Sequence, residues 1–171
     1  MKGRDATGYF IEAVKNAGYN EYDEILQTIN DGADLNAQFT GGPALIYVAD
    51  HHSSRMAVDI ADILIESGAD ENIRDDHGKT ALMHAAARNN EDLVMYLLSK
   101  SGTKLEAHDD YGMTALMHAA DNKNAEATKL LIAARANMFA KNNDGDTALK
   151  IARRRRASDV EKLLLTAGAQ E

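Results

Sequence analysis

Four groups of residues in this 171-residue chain have the types and spacing that chemistry uses. His84 and His118 stand 34 residues apart, each inside Ala-Leu-Met-His-Ala-Ala, and two facing imidazoles could form an acid–base or metal ladder. His51 and His52, beside Asp50 and Asp59, offer nitrogen and oxygen ligands for a divalent ion, the starting point of a metal-dependent enzyme. Asn142-Asn143-Asp144-Gly145-Asp146 alternates oxygen-bearing side chains with a glycine, as calcium loops do. Arg153 to Arg156 form a basic run that could hold phosphate, dock a partner or serve nuclear import.

Each group has a plainer account. Adjacent histidines on a helix point in different directions, so His51 and His52 read as part of a solvated loop. His84 and His118 follow a methionine at the same place in a recurring phrase, and a bond to local backbone accounts for both. Asp75-Asp76-His77-Gly78 and Asp109-Asp110-Tyr111-Gly112 stand in the same phase as the calcium-like stretch. Tight turns require Asp, Asn and Gly, which explains all three. The arginines fall in a first helix of the last unit, where a charged cap is expected and their stems can cover apolar surface.

The phrases that carry these residues recur. Asp76-His77-Gly78-Lys79-Thr80-Ala81-Leu82-Met83-His84-Ala85-Ala86 returns 34 residues later as Asp110 to Ala120. A looser copy, Asp144-Gly145-Asp146-Thr147-Ala148-Leu149, follows 33 residues on, and Gly41-Gly42-Pro43-Ala44-Leu45 lies 37 residues upstream. A second phrase, Gly32-Ala33-Asp34-Leu35-Asn36-Ala37, reappears as Gly68 to Ile73 and, with Arg135 replacing glycine, as Ala136 to Ala140. Two phrases recurring in phase predict a stacked array. Thr80, Thr114 and Thr147 stand where helix N-caps belong. Leu93, Val94, Leu97 and Leu98, then Leu130 to Ile132, then Val160 and Leu163 to Leu165, supply second helices with apolar contacts. Earlier, Asp5 to Gly18 and Glu21 to Asn30 read as a helix pair. Leu45 to Gly68 spans 23 residues against 19 from Leu116 to Arg135, so unit two holds about one extra helical turn within 50–59.

These phrases make the chain resemble the ankyrin-repeat family, over nearly its whole length. The resemblance implies an all-α solenoid with short β-hairpin turns, curved around a concave groove. It implies one domain over 1–171, with units of about 5–38, 39–74, 75–108, 109–141 and 142–171, the first and last acting as caps. It also implies recognition of another protein through hairpin tips and the exposed face of the first helices. Carried over position by position, the tips supply Thr40, Asp76, His77, Lys79, Asp110, Tyr111, Met113, Asn143, Asp144 and Asp146. The first helices supply Tyr47, Asp50, His51, Ala87, Arg88, Asp121, Asn122, Arg154 and Arg155. Among these Tyr111 and Met113 are apolar where turn chemistry asks for nothing apolar. Either they form an interface or Tyr111 packs on a neighbouring tip.

Bulk composition bounds the rest. Net charge is −8, yet residues 141–171 carry +2, leaving −10 on the body. An acidic body disfavours nucleic acid, and no apolar run is long enough for a transmembrane helix. The groove is expected to be acidic at its centre and basic toward unit five. With no cysteine there are no disulfides or thiolate sites, which suits an oxidising compartment as well as the cytoplasm. No nucleophile elbow, phosphate loop or His-Glu-x-x-His motif occurs. The expectation is a non-catalytic, cofactor-free monomer that binds and inhibits or masks one protein. The alternatives are an exported immunity protein that inhibits a hydrolase and, more distantly, a metal enzyme using His51 and His52.

Overall fold

The computed structural model describes residues 6–18, 22–52 and 54–170. The expected helix starts at Asp5 and Glu21, and Ser53 of the extra turn, lie outside the described residues. Among the described residues ten helices follow one another in consecutive pairs: α1 (Ala6–Asn16) with α2 (Asp23–Asn30), α3 (Ala44–His51) with α4 (Ser54–Glu66), and α5 (Ala81–Ala87) with α6 (Glu91–Ser99). The last two pairs are α7 (Ala115–Asp121) with α8 (Ala125–Ala133) and α9 (Ala148–Arg155) with α10 (Ser158–Thr166). The first helices α1, α3, α5, α7 and α9 pack in one row, and α4, α6, α8 and α10 in a second behind it. This is an all-α solenoid. The expected hairpins are tight turns, and no strand forms among the described residues.

Side-chain size explains the row. Ala81, Ala85 and Ala86 of α5 and Ala115, Ala119 and Ala120 of α7 are buried, so neighbouring first helices approach closely. Leu93, Val94, Leu97, Leu131, Val160 and Leu164 of the second helices are fully buried and fill the space behind. A lone pair would expose this surface to water, so each pair is stable only against its neighbours.

Three threonine caps start the inner helices where the sequence places them. The Thr80, Thr114 and Thr147 hydroxyls accept hydrogen bonds from the backbone N–H of Met83, Met117 and Lys150. The extra residues of the second pair lengthen α4 to 13 residues, against 9 in α6, α8 and α10.

Between pairs, turns stack along one edge. Gly78, Gly112 and Gly145 hold φ of +73°, +74° and +76° in successive turns. The Asp110 N–H donates to the His77 carbonyl at 3.1 Å and the Asn143 N–H to the Tyr111 carbonyl at 3.0 Å, lacing tip to tip. A second lacing runs lower down. The N–H of Asp70, Lys104 and Asn137 donates to the side chains of Asn36, Asn72 and Glu106 of the preceding pair. At Arg135, where the phrase lacks its glycine, the backbone keeps φ +67°.

Candidate functional site

Each tip is built around one side chain. Asp75 Oδ1 accepts from the N–H of His77 and Lys79, and Asp109 Oδ1 from those of Tyr111 and Met113. Asn142 Oδ1 does the same for Asp144 and Asp146. This common turn geometry accounts for the calcium-like spacing of 142–146.

The second carboxylate oxygen corrects an expectation. His84 and His118 do not bond local backbone through their rings. His84 Nε2 lies 2.8 Å from Asp75 Oδ2, and His118 Nε2 lies 2.8 Å from Asp109 Oδ2. Each tip is thereby pinned to the helix that follows it. The Asp109 side chain is 0% exposed and that of His118 10%, so this bridge is largely shielded from solvent. Burial pushes His118 below the ordinary imidazole pKa, against the pull of Asp109, with Lys79 and His84 lowering it further. Burial also acts to raise Asp75, but bonds from His84 and from the N–H of Lys79 and His77 outweigh it, and its carboxyl lies below the usual range. The signal for this bridge was present in the chain. Aspartate precedes histidine by nine residues in both units, and in the last unit Asn142 and Ile151 replace the two together.

The row of first helices carries ionic rungs. Arg88 grips Asp50 of the preceding pair with Nε and Nη2 at 2.8 and 3.0 Å. Arg155 grips Asp121 in the same way at 2.6 and 2.8 Å. The Arg88 guanidinium, opposed by burial and helped by His84, holds the Asp50 carboxyl below its usual pKa. Ala87 and Asn122 occupy the rung between, and no ion pair spans it among the described residues.

Over this central rung opens a hollow of about 670 Å³. Of the residues expected to bind, it brings together Lys79, Tyr111, Met113 and Asp144 of the tips and Asp50, Ala87, Arg88, Asp121, Asn122 and Arg154 of the first helices. Tyr111 is 66% exposed and projects from the tip, while Met113 is half-buried and packs on the core. Nine expected residues lie outside it: Thr40, His51, Asp76, Asp110 and Asn143, together with His77, Tyr47, Asp146 and Arg155. His77 sits at the outer end of its turn, beside Gly41 and Gly42. Tyr47 stacks on His51 with ring centroids 4.2 Å apart, and Lys15 lies 6.0 Å from the Tyr47 ring. Asp146 is buried, not at an exposed tip, because Lys150 and Arg154 both close on its carboxylate. Lys150 is the larger influence holding its carboxyl low, against burial, with Arg154 adding. Arg155 is spent in its rung.

The arginine run is therefore mostly engaged: Arg153 pairs with Glu161, Arg154 with Asp146 and Arg155 with Asp121. The groove is not divided into an acidic centre and a basic end, because its charges are largely matched locally. His51 and His52 diverge: His51 Nδ1 lies 3.1 Å from the Tyr47 carbonyl, whereas His52 lies 3.0 Å from the Met56 sulfur and from the Val14 carbonyl. Among the described residues no three His, Asp or Glu side chains converge as metal ligands.

A family model described as ankyrin repeats, in three copies, matches residues 10–109 and 101–171. No curated protein matches the chain.

Proposed function

The chain belongs to the ankyrin-repeat family, and from that premise we propose that it binds one protein partner in the groove between its turns and first helices, and inhibits or masks that partner by occupying it. Repeats of this family generally mediate binding to other proteins. The units at about 5–38, 39–74, 75–108, 109–141 and 142–171 are the segments that present this surface, the outer two serving as caps. One observation carries the assignment to the groove: Tyr111, an exposed aromatic at a turn that does not require one, stands with Met113 at the wall of the hollow. Exposed tyrosine beside a half-buried thioether is the composition of an interface hot spot.

Occlusion is the mode that fits a groove whose charged groups are mostly bonded to one another. The test is affinity purification from the source organism, followed by titration of the recovered protein. One dominant partner is expected, whose own activity falls as the groove fills. Tyr111→Ala and Met113→Ala each weaken the complex by about 1–2 kcal/mol, the scale of interface truncations. Affinities unchanged within error would move the interface away from these tips.

A further inference from the structure

The charged side chains around the hollow are nearly all neutralised from within. Asp50 is held by Arg88 and His84, Asp109 by His118, Asp121 by Arg155, and Arg154 by Asp146. Two lining groups form no ion pair among the described residues: Lys79 on the third unit's turn and Asp144 on the fifth unit's turn. Between them, on the fourth unit's turn, stand Tyr111 and Met113. Along the groove the unsatisfied chemistry thus runs cation, apolar, anion.

We infer that the groove takes a linear segment of its partner that presents an acidic side chain to Lys79, a bulky apolar side chain to Tyr111 and Met113, and a basic side chain to Asp144, in that order. This rests on the groove being the binding face. The chain's own rungs explain the selectivity. Arg88–Asp50 and Arg155–Asp121 are closed clamps on either side, so a ligand charge gains little by breaking them. Lys79 and Asp144 are free to pair without first losing a partner. Spacing follows from the stack. Neighbouring helices lie about 8–10 Å apart, so turns two units apart are separated by about 16–20 Å. An extended strand covers that distance in about five or six residues. Acid and base in the segment are therefore about five or six positions apart, with the apolar residue midway.

The experiment displays random peptides of about twelve residues, about 40 Å when extended, and selects them on the intact protein and on the charge-swapped variant Lys79→Glu with Asp144→Lys. The wild type is expected to enrich peptides of acid–apolar–base order at the stated spacing. The swapped protein is expected to enrich the reverse order and to bind the original peptides at least about tenfold more weakly, like charges then facing one another. The neutral pair Lys79→Gln with Asp144→Asn serves if the swapped protein melts below the wild type; it is expected to lose the charge preference and keep the apolar one. Equal enrichment of the same peptides on wild type and variant overturns the inference. If those peptides still require Tyr111, tested by Tyr111→Ala, the groove remains the binding face. If they bind Tyr111→Ala and Met113→Ala as well as wild type, groove binding itself fails. No enrichment on the wild type also overturns the inference, since a linear segment is then insufficient.

Discussion

Burial makes His118 an acid-sensitive point in the stack. Its folded pKa is depressed, first by desolvation, while the unfolded imidazole titrates near 6.5. The folded state therefore binds fewer protons than the unfolded state as pH falls below about 6.5. The contribution is complete above that pH and is lost as pH drops toward the folded pKa. His52, depressed by burial as well, acts in the same direction. Urea midpoints are expected to fall between pH 7.5 and pH 5.5, and His118→Gln, which cannot titrate, makes that fall smaller while lowering the whole curve. An undiminished fall in the variant would place the sensitivity elsewhere. A second loss follows below the ordinary carboxylate range, where Asp50 and Asp75, whose folded pKa values are depressed, take up protons and release their partners.

Arg135 poses a backbone problem. Its φ of +67° is left-handed, where a side chain costs about 1–2 kcal/mol and glycine costs nothing sterically. The matching positions Gly32, Gly68 and Gly168 hold φ of +85°, +100° and +97°. Arg135→Gly is expected to raise stability by about 0.5–1 kcal/mol, the gain being cut by glycine's freedom in the unfolded chain. A chemical-denaturation midpoint that falls would mean the arginine stem stabilises more than its backbone strains.

At the scale of elements, the parts fixed by local rules were legible. The threonine caps and the glycine turns follow from what a short stretch of backbone needs, and the period repeats them. Thr114→Ala is accordingly expected to destabilise by about 1 kcal/mol, with Thr114→Ser losing only a few tenths, since serine offers the same acceptor to the Met117 N–H. Equal losses would assign the threonine's value to its buried methyl group. The extra turn was legible as a length but not as a place, because four more residues suit a loop as well as a helix; they extend α4. Pairings across space were not legible by the same rules. Local rules assign His84 to backbone, because nothing local says that the first turn of α5 lies over Asp75. The same rules leave Asp146 exposed at its turn, whereas Lys150 and Arg154 of the following helix fold back on it. The basic run likewise looked free until its acceptors on other elements were in place.

The molecule as a whole is a line of near-neighbour contacts, and its cooperativity depends on the weakest junction. α7 packs against both α5 and α9, and Leu116 in it is 1% exposed. The rung at this level lacks the arginine clamp that ties α5 to α3 and α9 to α7. Apolar contact, with the Asn124 side chain donating to the Ala86 and Ala87 carbonyls at 2.8 and 2.7 Å and the lacing of the turns, therefore couples the two halves of the stack. Leu116→Ala removes buried methylenes at that junction and is expected to cost about 2–5 kcal/mol. In a quasi-one-dimensional protein such a loss weakens an interface as well as a unit, so one part can unfold without the other. Urea unfolding of the variant is expected to separate into two transitions, with amide exchange protected longer on one side of α7 than on the other. The wild type is expected to unfold in one. A single transition in the variant, moved to lower urea with its slope unchanged, would show that the lacing of turns along the edge couples the halves without this leucine.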